Sequence, residues 1–251
     1  MDLYLNKKNV VVIGASRGIG KAIALMFAAE GANVAICARK EAPLLAAEAE
    51  LKTKGVNIYA ATCDVKNGEA LESFLDSVKQ QLGSVDVLVN NVSGFAMGDT
   101  FADWEKSLTV DILASVRATQ KVIPWMIEAG GGSILFTSSI AGLEGGPVPA
   151  YGAAKAAIIS YSKSLAVSLA TKGIRSNVIA PGAIEFEGGS WARLKEQNPP
   201  MYKYVQSTIP AGRMGTAEEV ANVAVFLASS RASWVTGSCV SVDGSQHKGN
   251  L

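Results

Sequence analysis

Histidine is nearly absent. The chain of 251 residues has one, His247, close to its C-terminal end. A serine–histidine hydrolase or a histidine-built metal centre would rest on that residue alone, so no metal site is expected. Acid–base chemistry falls instead to tyrosine, lysine or carboxylates. Cysteine is scarce as well: Cys37, Cys63 and Cys239 have neither an even count nor metal-like spacing. That argues against a disulfide framework and for a reducing cytoplasm. Net charge is almost nil, formally +1 with 18% charged residues, so neither a nucleic acid nor an anionic membrane is an expected partner. The apolar run after Lys7 and Lys8 leads into a glycine turn, and neither a signal peptide nor a membrane span is expected. Linkers, repeats and low-complexity stretches are missing too, so residues 1–251 read as one domain.

Short β-branched runs alternate with longer helical patterns. The runs are NVVVIG (9–14), NVAICA (33–38), NIYAAT (57–62), VDVLVN (85–90), SILFTS (133–138), IRSNVIA (174–180) and SCVSVD (238–243). Most are apolar on both faces, as strands covered by helices on both sides must be. Seven such strands with helical crossovers predict an α/β fold, a doubly wound, Rossmann-like parallel sheet of seven strands flanked by helices on both faces. The rhythm breaks at 183–213, an insertion rich in aromatics, glycine and proline, which is expected to be an irregular lid or substrate loop.

The segment VVVIGASRGIGKAIALMF (10–27) reads strand, glycine loop, helix, with Gly14, Gly18 and Gly20 spaced GxxxGxG. Glycines permit the tight turn, and a helix starting at about Gly18 offers free N–H groups to a pyrophosphate. Ser16, Arg17 and Ile19 belong to the same loop. At the end of the second strand an NAD site wants a carboxylate for the ribose 2′-hydroxyl. Here the text is VAICARK, with Ala38 at that position and Arg39 and Lys40 beside it. Nothing there repels a 2′-phosphate, Arg39 can grip it bidentately, and Arg17 can close over it. NADP(H) is expected over NAD(H).

Tyr151 and Lys155 lie four apart in PVPAYGAAKAAI (147–158), on one face of a helix of small residues. An ammonium near a phenol favours the phenolate. A tyrosine so placed can protonate a carbonyl oxygen as hydride arrives, or deprotonate an alcohol in reverse. A hydroxyl donor to the oxyanion should come from the end of the fifth strand, where Ser138 and Ser139 both stand.

With its glycine loop, the NN after the fourth strand and YxxxK after the fifth, the chain resembles the short-chain dehydrogenase/reductase family nearly end to end. Within it, the chain is most similar to the 3-oxoacyl-acyl-carrier-protein reductase type. The resemblance implies that Asp64 and Val65 hold the adenine, that Asn90 ties the sheet together, and that Asn91 lines the cofactor by its backbone. It implies that Pro181, Gly182 and Ile184 fix the nicotinamide, with Tyr151 and Lys155 touching the cofactor as well. The SxxG ending selects Ser139, whereas the family's commoner spacing to the tyrosine would select Ser138. Ser139 is favoured because strand alternation fixes its direction.

Four positions depart from the family pattern. Val92 and Ser93 replace alanine and glycine in NNAG, and Phe186 replaces a threonine that contacts the cofactor. Asp111 stands where the resemblance implies a catalytic asparagine, whose side chain keeps a helix kink and whose carbonyl holds a relay water. The extra negative charge should hold Lys155 protonated and partly offset its pull on Tyr151.

The expected function is NADP(H)-dependent reduction of a small-molecule ketone to a secondary alcohol, or the reverse, in a cytoplasmic homo-oligomer, tetramer or dimer. The helix over 150–171 is compatible with an interface. Phe186, Trp191, Met201, Tyr202 and Tyr204 suggest an apolar or cyclic ketone, though they can equally pack among themselves. The alternatives are 3-oxoacyl-carrier-protein reduction and a catalytically weak, nucleotide-sensing scaffold, for which the four departures speak and the Ser139–Tyr151–Lys155 set does not.

Overall fold

Alternate residues of the central strands go to opposite cores. In β1 (Asn9–Ile13) and β2 (Asn33–Ala38), Val10, Val12, Val34 and Ile36 pack on one face, while Val11, Ile13, Ala35 and Cys37 pack on the other. This two-sided burial requires helices on both faces. The first face is covered by α1 (Gly18–Ala29), α2 (Glu41–Lys52) and α9 (Ala217–Ala228). The second is covered by α3 (Gly68–Leu82), α5 (Ala114–Glu128) and α6 (Pro149–Leu169). The chain's structure is a computed structural model that describes residues 1–249.

The remaining strands of the main sheet are β3 (Ile58–Thr62), β4 (Val87–Asn90), β5 (Gly132–Thr137), β6 (Ile174–Pro181) and β9 (Cys239–Val242). All seven pair in parallel in the order β3-β2-β1-β4-β5-β6-β9. Each of the seven runs read from sequence forms its strand, and the two at the edges, β3 and β9, are only partly buried. The fold is therefore a Rossmann-like doubly wound α/β sheet. The chain winds outward from β1 through β3, then returns to lay β4 beside β1, with Ile13 opposite both Cys37 and Asn90. That reversal opens a crevice at the strands' C-terminal ends.

The region 183–213 is more regular than expected. It holds a short strand β7 (Ile184–Glu185), which pairs with β8 (Gly215–Thr216), and two helices, α7 (Ser190–Gln197) and α8 (Pro199–Thr208). Asn198 caps α8 through Met201 N–H (3.2 Å), and prolines begin it, a normal helix start. Tyr202 is buried with Ala183, Ile209 and Met214, against Trp191 and Leu194, so the two helices carry a small core of their own. Both Lys195 and Tyr202 donate to the Glu185 carboxylate, the first at 2.9 Å, tying the helices to β7. Between α4 (Phe101–Ser107) and α5 the helix widens into a π segment over Leu108–Leu113.

Candidate active site

The N-cap of α1, Arg17, makes no side-chain cap, and among the described residues the N–H groups of Gly18, Ile19 and Gly20 have no hydrogen-bond partner. A helix start with three open donors suits a diphosphate. Gly20 can be nothing larger, because an added Cβ would strike the Gly14 carbonyl and the Asn91 amide. The sequence reading had Asn91 contributing its backbone. Its side chain has a role as well, donating to Gly14 O (2.9 Å) and bracing the glycine loop against β4. Asn90, expected to tie the sheet, lies in β4 opposite Ile13 and Phe136, and its side chain donates to Thr119 of α5 as well (3.1 Å).

Two clefts adjoin at the switch point. One, about 260 Å³, is lined by Ala38, Arg39, Asp64, Val65 and Lys66 among others, and the second, about 440 Å³, by Ser139, Tyr151, Lys155, Pro181, Gly182 and Ile184 among others. Arg17, Arg39, Asn91, Ser93, Gly94 and Lys106 line both, which makes one continuous trough. Lys40 lines neither and stands exposed at the start of α2. Arg17 spends a guanidinium N–H on the Gly188 carbonyl (3.0 Å), so it reaches across the trough to the 183–213 region. A larger cavity, about 750 Å³, opens elsewhere around Gly130–Gly132, Arg175 and Trp234 and contains none of the predicted residues.

Lys155 is the centre of the buried polar cluster. Its ammonium lies 2.9 Å from Asp111 Oδ1, donates to Thr137 O at 3.0 Å, and stands 5.5 Å from the Tyr151 ring centroid. Asp111 Oδ2 accepts the Gly94 N–H (2.9 Å), while Oδ1 faces the ammonium as an ion pair and takes no hydrogen bond. The Asp111 carbonyl, implied by resemblance to hold a water, accepts the Ser115 hydroxyl (3.0 Å). The π segment puts Asp111 there, since a helix in strict α register would turn this side chain elsewhere.

The two serines differ in what their protons do. Ser138, buried, donates to the Lys155 carbonyl at 2.8 Å, which fixes β5 to α6 and uses its only O–H. Ser139 accepts the Ala141 N–H (3.2 Å) as the cap of a short 3₁₀ turn, and its own proton remains available to the cleft. Of the five residues left open between substrate wall and internal packing, Phe186 and Trp191 line the trough, Tyr202 is buried in its own core, and Met201 and Tyr204 are exposed and outside the lining. Phe186 covers Gly18, where a Cβ would run into its ring.

Sequence reasoning missed Phe95, Lys106, Thr137 and Arg193, all of which line the trough. Phe95 follows directly on NNVSG and could have been flagged as an aromatic beside a cofactor motif. Thr137 acts through its carbonyl, which no side-chain pattern reveals. His247 packs against Asp243, away from the cleft lining.

Residues 14–247 match the profile of a family described as enoyl-(acyl carrier protein) reductase. Over 249 residues the chain is 35% identical to a 3-oxoacyl-[acyl-carrier-protein] reductase of Staphylococcus aureus, covering 96% of this chain and 98% of the relative. The chain belongs to the short-chain dehydrogenase/reductase family. Among solved members of this oxidoreductase family, L-sorbose reductase from Gluconobacter frateurii, complexed with NADPH and L-sorbose, superposes with a TM-score of 0.90 at 34% identity, over 99% of this chain and 100% of that one. A 7α-hydroxysteroid dehydrogenase complexed with NADH and 7-oxo glycochenodeoxycholic acid gives a TM-score of 0.90 at 32% identity, over 97% and 96%. Acyl thioester, sugar and steroid relatives thus stand at similar identity.

Proposed function

We propose that this short-chain dehydrogenase/reductase reduces a ketone to a secondary alcohol with NADP(H), Tyr151 acting as the acid. The observation that carries the reading is that Ser139, with its proton uncommitted, Tyr151 and Lys155 line one cleft together with Pro181, Gly182 and Ile184. The open N–H groups of Gly18, Ile19 and Gly20 fit a dinucleotide diphosphate, Asp64 and Val65 lie where the adenine end would sit, and Arg39 fits a 2′-phosphate. The relatives above were solved with NADPH in one case and NADH in the other, so the phosphate preference rests on Arg39 and on the lack of a carboxylate at Ala38.

The nicotinamide, when bound, supplies the hydride. Tyr151 gives its phenolic proton to the carbonyl oxygen, and the Ser139 hydroxyl donates to the same oxygen as charge develops there. Lys155 holds positive charge beside the phenol, and Asp111 with the Thr137 carbonyl fixes where that charge sits. In oxidation the phenolate takes the alcohol's proton.

The test is NADPH oxidation over a panel of ketones and 3-oxoacyl thioesters. Tyr151→Phe should lower kcat/KM by about 10²- to 10⁴-fold on every active substrate and keep NADPH binding. Tight NADPH binding with no turnover on any substrate would leave the protein a nucleotide-binding scaffold.

A further inference from the structure

Phe95 has its backbone at φ +50°, in the left-handed region that penalises a bulky side chain. Its ring meets Tyr151 edge to face, with centroids 5.7 Å apart and an interplanar angle of 64°. It lines the trough, and the residue is 47% exposed. Such a conformation persists only where its surroundings over-determine it. Here two consecutive N–H groups are pinned: Gly94 donates to Asp111 Oδ2 at 2.9 Å, and Phe95 donates to Ser93 Oγ at 3.0 Å. Ser93 and Asp111 are two of the four departures from the family pattern. Both therefore act on one loop, and what that loop presents is the Phe95 ring.

We propose that Phe95 is a specificity-determining residue, held by Ser93 and Asp111 as an apolar platform beside Tyr151, which selects ketones whose carbonyl is carried on a flat ring. The inference rests on the reading of Tyr151 as the acid. An edge-to-face contact with Tyr151 leaves a face of Phe95 for another partner, and aromatic faces favour planar apolar groups in offset or edge contact. Phe186 and Trp191 add apolar surface to the same 440 Å³ cleft, and among the described residues no carboxylate lines that cleft. A small acyclic ketone has no comparable face with which to cover the ring.

Two readouts test this. The first is thermal unfolding of Phe95→Gly against Phe95→Ala. At an ordinary φ glycine melts below alanine, whereas at φ +50° the order reverses, with glycine higher by about 2–4 °C. An alanine variant that melts as high as the glycine variant, or higher, overturns the strained platform. The second is the ratio of kcat/KM for β-tetralone, a ketone whose ring is fused to a flat benzene ring, to that for butanone. Phe95→Ala should lower this ratio roughly 10- to 100-fold, mainly through KM for the ring ketone. Ser93→Ala, which removes the pin and keeps the ring, should lower it less. An unchanged ratio in Phe95→Ala overturns the proposal even where the melting order is as expected. Should the wild type reduce no ketone at all, the functional reading falls separately. The platform is then judged by equilibrium binding of β-tetralone, followed by tryptophan fluorescence. Weaker binding in Phe95→Ala supports it, and equal or absent binding overturns it.

Discussion

The ammonium of Lys155 and the carboxylate of Asp111 form an ion pair at 2.9 Å with both side chains buried. Each also holds a backbone group, Lys155 the Thr137 carbonyl and Asp111 the Gly94 N–H. Charge at the active site and the path of the 93–95 loop are thus set by one contact.

Asp111→Asn follows directly from that geometry. Both groups facing Asp111 are donors, and an amide has one accepting atom where the carboxylate has two. One of the two buried contacts is lost and Lys155 is left without a counter-charge, for an expected loss of about 2–4 kcal/mol in urea unfolding. A loss within about 0.5 kcal/mol, as for an ordinary surface substitution, would mean the pair does not hold this site together.

The serine pair separates structure from chemistry. Ser139→Ala removes the free donor and should cost about 10²- to 10³-fold in kcat with little change in melting. Ser138→Ala removes the donor to the Lys155 carbonyl and should cost about 1–3 kcal/mol of stability. The reverse pattern, with Ser138→Ala the less active and Ser139→Ala the less stable, would exchange the two roles.

The proposed coenzyme choice rests on one position. Arg39→Asp replaces a bidentate cation by a charge that repels a 2′-phosphate and can accept from a 2′-hydroxyl. The ratio of kcat/KM for NADPH over NADH should drop roughly 10- to 100-fold or more. A ratio that stays near that of the wild type assigns the discrimination to another side chain.

Acid stability has an identifiable contributor in Glu219. The Arg213 guanidinium, bonded to it at 2.6 and 3.0 Å, and then the Thr216 N–H lower its pKa from 4.5 to about 2. Because the folded value lies below the unfolded one, its stabilisation is present above pH 4.5 and is lost as the pH falls toward 2. Glu219→Gln keeps the cap on α9 and loses the charge. Its urea midpoint should fall less steeply than that of the wild type across this window, and parallel curves would rule Glu219 out.

The sheet was legible in sequence because β-branched runs buried on both faces leave a direct pattern. The glycine loop, Tyr151 and Lys155 were legible because their spacing is local. What escaped depends on contacts across the chain. Ser138 and Ser139 are adjacent and alike, and they are told apart by the Lys155 carbonyl that one of them meets. Phe95 escaped because a positive φ leaves no mark in a non-glycine sequence. The helices at 190–208 escaped because paired glycines before the first and paired prolines between the two read as loop, and Tyr202, which the sequence left open between substrate wall and internal packing, packs internally and with Lys195 holds them to β7. Lys40 shares its sequence signal with Arg39, yet the start of α2 carries it away from the cleft.

The π segment at Leu108–Leu113 holds one residue more than regular winding would need. Removing a single residue there would restore ordinary α winding with the flanks kept in place, because the wide turn is what absorbs the extra residue, and the side chains within the turn would be re-aimed. Asp111 would leave Lys155, Gly94 would lose its acceptor, and Phe95 would lose half of what holds it. For this helix, the difference between an ordinary turn and one that aims a carboxylate at Lys155 is a single extra residue.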